Sequence, residues 1–176
     1  MKTFAENQTI EKPMAQTPTR TLRLQKILVP TDFSDYAAKA LDYAIAFAER
    51  HQAEIILLHV VEPTYYAEFD QSVPPNLFEL QRDLVRSRHD HLNRIGREKV
   101  GSRVAHRAVV HLGNPYAVIV ETAKAMEADL IILATHGHTG LKHVLLGSTA
   151  ERVVRHAPCP VLIVRQSEHD FVGDND

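Results

Sequence analysis

The chain has 176 residues, 44% of them apolar, which is enough for a real core and too much for a disordered chain. Lys plus Arg is 20 and Asp plus Glu is 22, so a net charge of −2 offers no bulk positive field to a polyanion, and 6% aromatics without Trp exclude a base-stacking platform. No apolar run approaches the roughly 20 residues of a membrane span, MKTFAENQTIEK lacks the apolar stretch of a secretory signal, and a single cysteine, Cys159, excludes internal disulfides and Cys-rich zinc sites, so a soluble cytoplasmic domain is expected.

Residues 1–25 are polar, carry Pro13 and Pro18, and predict a mobile N-terminal arm. Lys26 to Pro30 is a short apolar run stopped by proline, hence a buried strand. Ser34 offers an N-cap, and Ala37, Ala38, Leu41, Ala44, Ile45 and Ala48 follow at helical spacing to about His51. Glu54 to Val61 is near-continuous and β-branched, as a strand buried on both faces would be. Glu62 to Asn76 is irregular, with three prolines. Leu77 to Lys99 has the spacing of a long surface helix. Val104 to Val110 alternates weakly, as expected of a third strand nearer a sheet edge.

Asn114-Pro115 is a cap followed by proline at the first helical position, and predicts a helix to about Glu127. Asp129 to Ala134 is a fourth buried strand. A polar Gly-bearing loop leads to a helix from about Ser148 to His156, and Pro160 to Arg165 is a fifth strand whose leading proline strand starts tolerate. Residues 166–176 carry four acids and no Lys or Arg, and predict an acidic C-terminal tail around a 26–165 domain. The β-α alternation with near-continuous apolar strands predicts an α/β fold: a parallel sheet with helices on both faces. Such sheets bind ligands beyond the carboxyl ends of their strands, where strand order reverses.

After the first strand comes Pro30-Thr31-Asp32-Phe33-Ser34, which places Asp32 either to accept from ribose hydroxyls or an adenine amine, or to cap the next helix. Ser34 reads as a cap rather than a contact. After the fourth strand comes ATHGHTG, then Gly147-Ser148-Thr149 at a helix start. Glycines let successive N–H groups converge, a helix N-terminus favours an anion, and the two hydroxyls donate to phosphate oxygens. The plain alternative is a connector with turn glycines. His136, His138 and His143 share that loop without a carboxylate or thiol and do not form a recognised metal spacing. His59 interrupts a buried strand and reads as a hydrogen-bonded core histidine. Gly-Lys-[Ser/Thr], G-x-G-x-x-G after the first strand and G-x-S-x-G are all absent, which excludes a P-loop and disfavours a Rossmann dehydrogenase or a serine hydrolase. Cys159 reads as a structural thiol.

KILVPTDFSDYAAKAL and ATHGHTGLKHVLLGSTAERVVRHAPCPVLIVR resemble the opening and closing segments of the universal stress protein (UspA-like) family over about Lys26 to Arg165. The resemblance implies a Rossmann-like, three-layer α/β/α sandwich of the adenine nucleotide alpha hydrolase-like kind, with five parallel strands in the order 3-2-1-4-5. ATP-binding members carry G-x2-G-x9-G-[ST]. Here Gly137, Gly147 and Ser148 match it, and Ala134 occupies the first glycine position, where a methyl narrows the approach and positive φ is not freely adopted. By the same resemblance Pro30, Thr31 and Asp32 hold adenine and ribose. Val60 packs on adenine, and Leu133 and Ala134 line the base pocket. Gly137, Gly147, Ser148 and Thr149 cradle the phosphates, with Mg²⁺ held through them and not by protein ligands.

The function implied is an ATP-binding stress regulator or sensor. The alternatives are a non-nucleotide interaction module of the same fold, with Ala134 marking a lost site, and a slow ATP hydrolase. No catalytic residue stands out. An apolar last strand at a sheet edge predicts a homodimer through Val161, Leu162, Ile163 and Val164, a pairing the family often uses. An unidentified regulatory protein partner is implied by the family's role. No nucleic-acid partner is expected.

Overall fold

The computed structural model describes residues 22–63, 76–135, 146–166 and 172. The elements alternate as β1 (Lys26–Pro30), α1 (Asp35–His51), β2 (Glu54–Val61), α2 (Leu77–Ile95), β3 (His106–Leu112), α3 (Pro115–Ala125), β4 (Leu130–Ala134), α4 (Ser148–His156) and β5 (Val161–Val164). All strand pairings are parallel and the sheet order is β3-β2-β1-β4-β5, the order that the family resemblance implies.

The apolar side chains divide between the two faces of the sheet. Ile27, Val29, Ile55, Leu57 and Ile132 pack with α1 and with Leu92 of α2. Leu28, Ile56, Leu58, Ile131 and Leu133 pack with Ile119 and Ala123 of α3 and with Ala150 and Val153 of α4. Three layers result, and the sheet centre is dry: Ile55 to Leu58 are each at most 1% exposed. Ser34 caps α1 by accepting from the Ala37 N–H at 3.2 Å. At the opposite end of β1, one Asp129 carboxylate oxygen accepts from the N–H groups of Gln25 and Lys26 at 2.8 and 2.9 Å, fixing the strand's entry.

Some boundaries differ from the sequence expectation. The second long helix is α-helical only to Ile95, and Gly96–Val100 forms a π-helical turn that ends at Gly101, φ +64°. A β-carbon on Gly96 would lie 2.7 Å from the His106 ring, so glycine there lets the helix end settle onto the start of β3. β3 is displaced toward the C-terminus relative to Val104–Val110. Val104 is buried ahead of the strand, and the ladder begins where Ile55 pairs with His106. Of the stretch expected as an acidic tail, Gln166 and Val172 are described: the Gln166 carbonyl accepts from Lys39 Nζ at 3.1 Å, and Val172 packs on the α1/α2-side core.

Candidate functional site

The strand order reverses between β1 and β4, and a cavity of about 320 Å³ opens there, beyond the carboxyl ends of β1, β2 and β4. Pro30, Thr31, Asp32, Val60, Leu133, Ala134, Gly147, Ser148 and Thr149 all line it. Nine of the ten residues singled out from the sequence therefore meet in one place, and the tenth, Gly137, lies outside the described residues, as do His136, His138 and His143.

The floor is apolar, built by Leu58, Val60, Ile119, Leu133, Ala134 and Ala150. The rim is polar and comes from three turns. In the β1–α1 turn, Thr31 continues the β1–β2 ladder by donating its N–H to the Leu58 carbonyl at 2.8 Å. Its hydroxyl oxygen accepts from the Phe33 N–H at 3.0 Å. Asp32 Oδ1 accepts from the Ser34 N–H at 3.0 Å and from the Ser34 hydroxyl at 2.6 Å. The capping alternative for Asp32 thus has a geometric basis, since this carboxylate organises the start of α1, and it lines the cavity as well.

The second rim segment is the junction of β4 and α4. The Thr135 N–H extends the β4–β5 ladder to the Val164 carbonyl at 3.0 Å, and the Thr135 carbonyl accepts the Gly147 N–H at 2.8 Å. The two ends of the loop between them are therefore tied together. Gly147 is the N-cap of α4 and brings no side-chain acceptor to the first turn, so the N–H groups and hydroxyls of Ser148 and Thr149 open the helix at the cavity rim. Glu62, one residue past β2, completes the rim. Among the described lining residues the charged side chains are Asp32 and Glu62, so positive potential there comes from backbone N–H groups.

Neither Ala134 nor Gly147 needs a left-handed backbone. Ala134 ends β4 in extended conformation, and Gly147 has φ −65°. The expected backbone difficulty at Ala134 is therefore absent, and what that residue adds to the cavity is one methyl group.

Sequence reasoning missed Leu58, Glu62, Ala37, Pro115, Ile119, Thr135 and Ala150 as lining residues. Two of them were legible. Side chains alternate along a strand, so once Val60 faces the cavity, Leu58 shares its face, and Glu62 extends the same alternation. His59 faces the other way and is hydrogen-bonded, with Nδ1 2.8 Å from the Thr31 carbonyl. Cys159 packs against the α3/α4-side core. Burial, and secondarily the Asp129 carboxylate, push its thiol up, so it stays protonated at neutral pH. His156 turns its Nδ1 to the Arg152 carbonyl, 2.8 Å away. Among the described residues no group of three or more His, Cys, Asp or Glu side chains is placed to hold a metal ion, and no helix is long and apolar enough to cross a membrane.

Known proteins share this fold. The protein MJ0577 of Methanocaldococcus jannaschii, a universal stress protein, is 34% identical over 156 residues, 81% of this chain and 95% of its own. Its solved structure superposes with a TM-score of 0.73 at 32% identity, over 84% of this chain and all of that one. The universal stress protein UspA from Lactobacillus plantarum follows with a TM-score of 0.63 and 33% identity, over 82% of this chain and all of that one. A universal stress protein solved in complex with cAMP, at 24% identity and a TM-score of 0.56 over 83% of this chain and all of that one, shares the fold. The model of the Universal stress protein family matches residues 23–165, which span every strand and helix described above. The sheet order, the cavity at its reversal point and this match agree: the chain belongs to the universal stress protein family.

Proposed function

We propose that the cavity binds an adenine nucleotide and that the chain acts as a nucleotide-responsive regulator or sensor in a stress response. One observation carries this: an apolar slot between β2 and β4, a carboxylate at the end of β1 and a helix N-terminus with two hydroxyls converge on one cavity. These are the three surfaces that a flat base, a sugar and a phosphate require. Val60 and Leu133 face the base, Thr31 and Asp32 the ribose, and Gly147, Ser148 and Thr149 the phosphates, with Gly137 assigned to the same cradle by the family motif. The donor set fits ATP. Mg²⁺ would be held mainly by phosphate oxygens and water, as that ion prefers, because the lining supplies only the Asp32 and Glu62 carboxylates.

The rim is suited to holding a nucleotide rather than turning it over, since Asp32 is engaged by Ser34 and phosphates meet amides and hydroxyls. Release of ADP over many turnovers would instead establish a slow hydrolase. Calorimetric titration with ATP, AMP and cAMP, together with analysis of nucleotide co-purifying with the protein, tests the proposal. A protein that arrives empty and binds none of them refutes it.

The Ala134 methyl favours a second reading, a protein-interaction module of the same fold without a nucleotide. Recovery of binding in Ala134→Gly alone would identify it. The edge strand β5 supports self-association. Among the described residues it pairs with β4 only, and Val161, Leu162 and Ile163 are half-exposed while Val164 is buried. A second copy paired along Val161–Val164 would cover that edge. Light scattering that gives a monomer at micromolar concentration refutes the dimer. Residence in the cytoplasm and an unidentified regulatory protein partner complete the proposal.

A further inference from the structure

The cavity wall has a back as well as a front. Alternation along β2 sends Leu58 and Val60 to the cavity and His59 to the opposite face, toward α2. There the Phe33 ring lies 4.2 Å from the His59 ring, tilted by 35°, and 4.4 Å from the His91 ring of α2, stacked at 9°. The Arg88 guanidinium, one turn earlier on α2, lies 5.9 Å from the centre of the same ring. Phe33 reaches this position at φ +68°, a region that strains a bulky side chain and persists only where surrounding contacts enforce it.

Both the stack's first members hold Thr31. The Phe33 N–H donates to its hydroxyl oxygen, and His59 Nδ1 meets its carbonyl. A carbonyl only accepts, so Nδ1 carries the proton of neutral His59, and Nε2 is the atom that titrates. Among the described residues, Arg88 and His91 of α2 and Asp32 of the β1–α1 turn are the charged and titratable groups acting on the ring, and β3 places apolar Val110 beside it.

We propose that Phe33, His59 and His91 are positioning residues of the cavity: their stack holds Thr31 and Asp32 at its wall, ties them to α2, and makes ligand affinity depend on whether His59 carries one ring proton or two. A second proton adds positive charge facing Arg88 and His91, which pushes α2 away, and draws the Asp32 carboxylate back toward the ring. A ligand that uses Asp32 as an acceptor therefore binds the neutral form better. Burial, the largest influence, already holds His59 below the ordinary imidazole range, so the cavity is formed at neutral pH and loosens on acidification.

Only the choice of ligand rests on the nucleotide proposal, and two measurements keep the two ideas apart. The first needs no ligand: the His59 ring and the backbone amides are followed by NMR against pH. Thr31, Asp32 and the α2 amides around His91 should titrate with the midpoint of His59, and in Phe33→Leu or His91→Leu the α2 amides should cease to follow it. His91 is half-buried on α2, and its substitution keeps the test open if the Phe33 variant does not fold. The second uses adenosine, which carries no charge to disturb the imidazole. Its affinity should fall about fivefold or more between about pH 7.5 and about pH 5.5, the lower end of ordinary coupling between sites. In His59→Asn, whose amide nitrogen takes the place of Nδ1 and still donates to the Thr31 carbonyl, binding should persist with a flat pH profile. A His59 titration felt only within β2, or an α2 response that survives both stack substitutions, overturns the positioning role. Absence of binding by adenosine, AMP and ATP at every pH overturns the nucleotide proposal instead, and the NMR result then decides this one.

Discussion

Gly147 offers a sharp test because two distances constrain it. Its N–H donates to the Thr135 carbonyl at 2.8 Å, and a β-carbon at this position would lie 3.0 Å from the same oxygen. Its φ of −65° and ψ of 153° suit any residue, so Gly147→Ala gains about 0.4–1 kcal/mol from a stiffer unfolded chain. Against that, the carbonyl must retreat by a few tenths of an ångström, which leaves the hydrogen bond near the long end of its normal range. The alanine variant should match the parent's stability within about 1 kcal/mol. Gly147→Val has no such latitude. Its γ-carbons overpack the junction, at a cost of about 1–3 kcal/mol, and they part a hydrogen bond worth about 0.5–1.5 kcal/mol. A loss of about 2–4 kcal/mol follows, or roughly 5–15 °C in Tm for a chain of this size. Urea denaturation and scanning calorimetry read the stability, each with and without ATP, which should raise the parent's Tm and leave that of Gly147→Val unmoved. A valine variant as stable as the parent would show that the Thr135–Gly147 tie does not close the loop. A destabilised valine variant that binds ATP with parental affinity would place the phosphates elsewhere.

Ala134→Gly removes one methyl from the cavity without relieving any backbone strain, so calorimetry should show ATP binding unchanged or strengthened, and weakened binding would contradict a methyl that merely narrows the slot. Leu92, fully buried and the only buried residue of α2, anchors that helix, and Leu92→Ala should cost about 2–5 kcal/mol in urea denaturation. Glu54 is held below its ordinary carboxylate value, first by the Arg107 hydrogen bonds at 2.6 Å, so its contribution is present above the ordinary value near 4.5 and lost as pH falls through the folded one. Arg107→Gln should therefore lower stability at neutral pH and flatten the decline below pH 4.5, read by thermal unfolding across pH. Cys159, with its thiol pushed up by burial, should alkylate more slowly than a free thiol at neutral pH, and labelling as fast as the unfolded chain would show that burial does not protect it.

How much of this was legible depended on what each residue packs against. The bounds of β2 coincide with the expected run because both faces are covered, so His59 alone interrupts the apolar pattern between Glu54 and Glu62. α1 was legible from Ser34, whose hydroxyl does cap it, and β4 from its buried run. β3 shifted because an edge strand packs weakly. Only partial burial distinguishes its ends, and Val104 is apolar for reasons of the core beneath it, not of the ladder. The break in the second helix was hidden because its cause is distant: Gly96 matters through the His106 ring, which the local pattern of α2 does not contain. At the front of the cavity Asp32, Gly147, Ser148 and Thr149 were legible because strand ends and helix starts announce themselves locally, whereas Val60, Leu133 and Ala134 came from the family resemblance. The back of the cavity was not legible. The left-handed backbone of Phe33 has no sequence signal in a non-glycine residue, and its contacts with His59 and His91 join three elements.

The division between core and rim explains why recognising the fold does not by itself fix a ligand. Ile27, Leu28, Val29, Ile131 and Ile132 fill the sheet at 0% exposure, while Thr31, Asp32, Ser148 and Thr149 lie just beyond the strand ends. Much of the stability therefore lies in sheet residues away from the cavity, while Leu58, Ile119, Leu133 and Ala150 serve both the core and the cavity floor. Substitutions at the rim change what the cavity holds at little cost to the sheet, as the unstrained Ala134 illustrates. The Phe33 stack is the link on the other face of the sheet. It belongs to the α1/α2-side core and to the cavity wall at once, so a change there reaches both stability and binding. Among the described residues, the rings of Phe33, His59 and His91 give a ligand at the cavity wall a direct route to the α2 surface.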